Sequence, residues 1–163
     1  MGTSTHNANE FRKMHKAALI CMSIAAGVIC WVALRGSAVS TKLSEQMRRG
    51  PVTTIDFATI ARFPWDRMYV FGPYTSAAQI NASLGFQWQG VRWTSIDSSK
   101  GHNLVVFVKG NEVVHWFEHP RNRGELEDLA DPNGYAREEA QFQVYRTADG
   151  RLALANIQDG SVK

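Results

Sequence analysis

Residues 103–119 read NLVVFVKGNEVVHWFEH. Two runs of valine and aromatic residues flank Gly110-Asn111, a dipeptide suited to a two-residue hairpin loop. A regular ladder from that turn sets Lys109 opposite Glu112, Val108 opposite Val113, Phe107 opposite Val114 and Val105 opposite Trp116. Leu104, Val106, Val108, Val113 and Phe117 then share one face, and Val105, Phe107, Val114 and Trp116 the other. Both faces are apolar, so the hairpin is expected in the middle of a sheet, covered on both sides.

Upstream, Arg67–Phe71 (RMYVF) is rich in strand formers and stops at Gly72-Pro73. Thr75 or Ser76 can then cap a short helix ending near Ser83, with Gly85 just past its end and Ala78, Ile80 and Leu84 as its apolar side. Gly90–Ile96 reads as a strand. Downstream, Gly124–Ala130 offers one or two helical turns and Asp131-Pro132-Asn133-Gly134 a loop. A second hairpin, Ala140–Thr147 with Arg151–Ile157, turns at Asp149-Gly150. Hairpins interspersed with one or two short helices indicate an α+β domain on a mainly antiparallel sheet of about five strands. Trp65, Trp88, Trp93 and Trp116 are expected to supply much of its core.

The N-terminal region has a different character. From Ala17 to Leu34 the chain runs 18 residues without a charge, bounded by Arg12, Lys13 and Lys16 before it and Arg35 after it. As a helix this run spans about 27 Å, close to the hydrocarbon thickness of a bilayer. A single transmembrane helix over 17–34 is therefore expected. It would follow a basic cytoplasmic tail (1–16) and precede a polar linker (35–50), helical around Lys42–Arg49. The folded domain is expected over 51–158, with a short tail at 159–163. A short basic tail before one span places the C-terminal domain outside the cytoplasm, at the bacterial inner membrane. Small residues up to Ala38 permit cleavage there, but Trp31 and Arg35 interrupt the approach to that site and favour an uncleaved anchor.

Charge and cysteine usage narrow the function. The chain carries 18 basic and 15 acidic residues, +3 in all. Seven of the bases and two of the acids fall within residues 1–49, leaving eleven bases and thirteen acids, a net −2, for 50–163. The basic character thus belongs to the membrane-flanking region, whose partner is the lipid bilayer. A nucleic-acid partner is not expected, since the soluble domain has no basic excess. Both cysteines, Cys21 and Cys30, lie within the apolar run, so the domain beyond it has no thiol chemistry.

Catalytic and metal signatures are also lacking. His115 and His119 have HxxxH spacing, but on a strand four residues separate the rings by about 13 Å, too far to share one ion. No cofactor, metal or catalytic residue is assigned. The candidate interaction residues are Trp65, Asp66, Arg67 and Tyr74, around the first good strand, and Arg121 and Arg123 in the Pro120-stiffened loop. Trp, Tyr and Arg are enriched at binding hot spots. Each group also has a structural reading: an aromatic plug with Asp66 bonding backbone amides and Tyr74 lidding the core, and arginines paired with Glu125, Glu127 and Asp128.

The stretch Phe63–Tyr74 (FPWDRMYVFGPY), Leu84-Gly85-Phe86, Asn103–Lys109 (NLVVFVK), Pro120–Gly124 (PRNRG) and Arg137–Ala140 (REEA) resembles a group of small uncharacterised bacterial proteins. These carry a comparable WD…FGPY segment, a valine-rich strand and a P-R-x-x-G turn behind an N-terminal anchor or lipoprotein signal. The resemblance covers about residues 55–145 and implies an envelope location, without bringing an activity. This chain has no lipobox cysteine, so its tether is expected to be the helix itself.

These observations lead to the expectation of a membrane-tethered, periplasm-facing domain that binds another envelope protein, as an accessory subunit or immunity-type inhibitor, without catalysis. Two other classes stay open. One is an envelope enzyme or small-ligand binder, which would need Asp66, His115, Arg121 and Arg123 to converge on one cleft. The other is a structural subunit of a larger membrane complex.

Overall fold

Phe107 is the residue around which the domain is built. In the computed structural model, which describes residues 38–157, its ring lies 5.1–6.3 Å from those of Phe57, Phe63, Trp65, His115 and Phe117. The strand that carries it, β3 (His102–Lys109), is buried from Asn103 to Val108 on both faces. It pairs antiparallel with β4 (Glu112–Pro120) on one side and β2 (Arg67–Phe71) on the other. The short β5 (Tyr135–Ala136) completes a four-stranded sheet in the order β4-β3-β2-β5.

A second antiparallel sheet joins β1 (Thr54–Asp56), β6 (Gln141–Arg146) and β7 (Leu152–Asn156) in the order β1-β6-β7. The α+β class and antiparallel pairing hold, but the single sheet of about five strands is replaced by two sheets of three and four. The larger sheet is covered on both faces. On one lie Ile55, Phe57, Leu126, Phe142, Val144 and Leu154 against Val105, Phe107 and Phe117. On the other, Ile80, Leu84 and Ile96 cover Tyr69, Phe71, Leu104, Val106 and Val108.

The hairpin departs from its expected register after two pairs. Lys109 faces Glu112 and Val108 faces Val113, but Phe107 faces His115, Val106 faces Trp116 and Val105 faces Phe117. A β-bulge at Val114 inserts one residue into β4, and every later side chain changes face. Phe117 therefore enters the core with Val105, while Trp116 moves to the opposite side beside Trp88. β4 is also an edge strand, so only the β3 half of the hairpin lies mid-sheet.

Helix α3 (Ala77–Leu84) follows its local signals closely. Ser76 accepts from the Gln79 amide and the Gln79 side chain accepts in return from the Ser76 amide, a capping box. Gly85, at φ 78°, ends it in the left-handed region that glycine adopts without strain. Ile80 and Leu84 face the sheet, whereas Ala78 is exposed. A further short helix, α2 (Phe57–Ile60), is capped by Asp56 through the Ala58 amide.

Three expectations are corrected. Gly90–Ile96 is not a strand: Gln89–Trp93 forms a 3-10 turn, because Gly90 sits against the Trp88 indole and the Glu118 carboxylate takes the Ser95 amide. The helix expected around Lys42–Arg49 is present as α1, residues 38–47, but it is not part of a linker: Val39, Leu43 and Met47, spaced by four, are buried in the main core. The folded domain therefore begins before Pro51. Finally, the tryptophans divide: Trp65 is 2 % exposed, Trp88 and Trp116 are half-buried, and Trp93 is 65 % exposed. Glu127–Leu129 forms the short turn expected within Gly124–Ala130. Among the described residues, no helix is long and apolar enough to cross a membrane. The expected span 17–34, the tail 1–16 and residues 159–163 lie outside them.

Candidate functional site

The six candidate interaction residues have different fates. Trp65 is a core residue whose indole nitrogen donates to the Ala61 carbonyl, with the Arg137 guanidinium 4.9 Å from its ring. Asp66 accepts from the Gly110 amide at 2.9 Å and so ties the hairpin turn to β2. Arg67 donates to the carbonyls of Asn133 and Gly134. Arg121 pairs with Glu125 at 2.5 Å and Glu127 at 2.7 Å. These four serve the fold. Arg123 is exposed, and Tyr74, rather than lidding the core, is 53 % exposed.

The enzyme arrangement is not formed by its expected residues. Asp66 sits at the Gly110 end of the hairpin, and Arg121 follows Pro120, opposite His102. Eight residues of strand, about 26 Å, lie between those ends. His115 is buried between them, its ring 4.8 Å from that of Phe63. Among the described residues, no group of three or more His, Cys, Asp or Glu could hold a metal ion.

The structure does assemble a buried polar array that sequence reasoning missed. Asn103 and His119 are directly paired on β3 and β4, on the core-facing side. Nδ1 of His119 meets the Ser40 hydroxyl of α1 at 3.1 Å. The Asn103 amide donates to Glu125, whose same oxygen also accepts from the backbone amides of Leu126 and Glu127. The other Glu125 oxygen meets Arg121 and, at 3.3 Å, Arg151. Gly124 closes this corner: its φ of 149° and lack of a side chain admit Met47 of α1, whose sulfur would stand 2.3 Å from a Cβ there.

The electrostatics follow from the packing. Burial lowers the His119 pKa to about 4, assisted by the charges of Arg123 and His102 and opposed by Glu125. The imidazole is therefore neutral near pH 7. Burial alone would raise the Glu125 pKa, but hydrogen bonds from Asn103, Arg121 and the Glu127 amide hold it below the usual carboxylate value. Tyr145 is pushed up to about 12, chiefly by its hydrogen bond to Asp128. Glu125 is satisfied by its neighbours on both oxygens, whereas Asn103 Oδ1 and His119 Nε2 are buried without a hydrogen-bond partner among the described residues.

What the surface presents is aromatic. The Tyr74 amide donates to the Ile96 carbonyl at 2.7 Å, joining the loop after β2 to the segment after the 3-10 turn. Trp93 is three residues from Ile96, so its backbone lies within about 11 Å. The Arg92 guanidinium sits 5.2 Å from the centre of the Trp93 ring. Tyr74 holds a φ of 62°, a conformation uncommon for a non-glycine residue. Trp93 was missed because Gly90–Ile96 read as a strand with an inward tryptophan. The adjacent Arg92 was the available hint.

Comparison with protein-family models, with curated proteins and with solved structures gives no match.

Proposed function

We propose that this chain is a protein-binding domain tethered to the outer face of the bacterial cytoplasmic membrane. It acts on another envelope protein as an accessory subunit or immunity-type inhibitor, without catalysis of its own. The observation that carries the binding half is the exposure of Tyr74 (53 %) and Trp93 (65 %) on adjoining loops, with Arg92 stacked on the indole. Trp, Tyr and Arg dominate the energy of protein interfaces because each combines a broad apolar area with a polar end. A left-handed tyrosine costs the fold on the order of 1 kcal/mol, and backbone strain of this kind clusters at functional positions. The tether rests on the 18 uncharged residues from Ala17 to Leu34.

Capture from detergent extracts with the full chain and with Trp93→Ala and Tyr74→Ala variants tests the binding surface. A stoichiometric partner held by the native chain and lost by at least the Trp93 variant is expected. A partner retained equally by both variants refutes this surface. C-terminal reporter fusions, one active only outside the membrane and one only inside, test the compartment.

A further inference from the structure

The face of α1 turned away from the core, together with the turn that follows it, has the composition of a lipid-contacting surface. Val39, Leu43 and Met47 are buried, and Ala38, Thr41, Lys42, Glu45, Arg48 and Arg49 are exposed. That exposed face carries three cations against one carboxylate, while residues 50–163 are net −2. The helix ends in a turn over Gly50-Pro51-Val52-Thr53, closed by the Thr53 amide on the Gly50 carbonyl at 3.4 Å. Pro51 is exposed at its tip, and Val52 is 77 % exposed at φ 74°.

Val52 is the telling residue. A β-branched side chain in the left-handed region is strained, and glycine is the ordinary occupant of this turn position. Here the strained residue is an apolar one left exposed, three residues after the exposed pair Arg48-Arg49. Chain length supplies the occupant: α1 begins four residues after Leu34, the last of the uncharged run, so its first residue is within about 14 Å of that run's end. An anionic bilayer surface is in reach and complements the charge.

We propose that the exposed face of α1 and the Arg48–Val52 turn lie against anionic lipid. Lys42, Arg48 and Arg49 meet headgroup phosphates, and Pro51 and Val52 sit in the interfacial layer. This second contact rests on the membrane-tethered reading and adds an orientation to it. Each cation near an anionic surface multiplies the bound population by about fivefold, so the arginine pair supplies more than tenfold.

The test uses the full chain with Cys21→Ala and Cys30→Ala, reconstituted into vesicles of phosphatidylcholine alone or mixed with phosphatidylglycerol. A nitroxide is placed at Val52→Cys, at Pro51→Cys, or at Ala148→Cys in the β6–β7 turn as reference. On the mixed vesicles, positions 51 and 52 are expected to be reached by oxygen in preference to a water-soluble nickel complex, unlike position 148. Arg48→Gln with Arg49→Gln should lower the lipid-contacting fraction by on the order of tenfold, as should raised salt. Labels at 51 and 52 as water-exposed as that at 148, in a chain that floats with the vesicles, overturn this contact and leave the anchor standing. Immersion indifferent to phosphatidylglycerol and to the arginine pair overturns it too. A chain that does not float overturns the anchor and this inference together.

Discussion

The Ser40 hydroxyl and Nδ1 of His119 lie 3.1 Å apart, although 79 residues separate them in the chain. This hydrogen bond fastens α1 to the end of β4 at a point from which water is excluded. The imidazole in it is neutral, because burial, and then the charges of Arg123 and His102, outweigh Glu125 and the Arg123 backbone, which favour a charge there.

Acid should therefore loosen the domain before its carboxylates titrate. The folded pKa of His119, about 4, lies below its ordinary value of 6.5. The unfolded chain binds the proton more readily, so this contribution to stability is complete above pH 6.5. It is lost as pH falls towards 4, and amounts to about 3 kcal/mol. Urea unfolding across that window is expected to show a falling midpoint in the native chain and a flatter profile in His119→Gln. Equal slopes in the two chains would assign the acid sensitivity elsewhere.

Glu125 governs the next stretch of the acid limb. Its pKa is depressed, so its contribution is present above the ordinary carboxylate pKa and disappears as pH falls below it. Glu125→Ala leaves the Asn103 amide and two backbone amides without their acceptor and removes the more buried of the two carboxylates that Arg121 pairs with, Glu127 remaining. Removing one partner of a buried ion pair typically costs about 3 kcal/mol or more. Thermal unfolding at pH 7 should show that loss, and Asp149→Ala, in the exposed and solvent-screened Arg151 pair, a much smaller one.

Sequence reading succeeded where the determining contacts are local. β2 and α3 depend on residues within a few positions: a strand-forming run stopped by Gly72-Pro73, a Ser76–Gln79 box, a terminal Gly85. It failed where the deciding partner is distant. The bulge at Val114 leaves no mark in an unbroken apolar run, yet it moves Trp116 and Phe117 to opposite faces. α1 resembled a linker because its apolar stripe is only three residues long, and its partners Gly124 and His119 lie more than 70 residues away. Of the candidate interaction residues, Tyr74 and Arg123 are exposed, although the structural reading of each puts Tyr74 over the core and Arg123 in an ion pair. Trp93 was missed, since alternation along Val91, Trp93 and Ser95 imitated a strand.

The turn at Val52 yields a prediction about stability. Val52→Gly relieves a φ of 74° that a β-branched residue tolerates poorly. Glycine's greater freedom in the unfolded chain offsets part of that gain. A net stabilisation of about 0.5–1 kcal/mol is expected from chemical denaturation. A destabilised variant would show that the valine makes contacts the fold needs.

The tryptophans provide the sharpest comparison, since one residue type occupies opposite environments. Trp65 is buried against Phe107 and donates to the Ala61 carbonyl, so Trp65→Ala removes an aromatic side chain from the centre of the core. Such truncations cost about 3–5 kcal/mol, a large share of the 5–15 kcal/mol that holds a domain of this size together. Trp93 is 65 % exposed and is contacted by Arg92 on one face of its ring, so Trp93→Ala should shift stability by no more than about 0.5 kcal/mol. Denaturation of both variants under identical conditions checks the pair. A cost at Trp93 comparable to that at Trp65 would mean that Trp93 serves the fold, and the binding surface assigned to it with Tyr74 would lose its anchor.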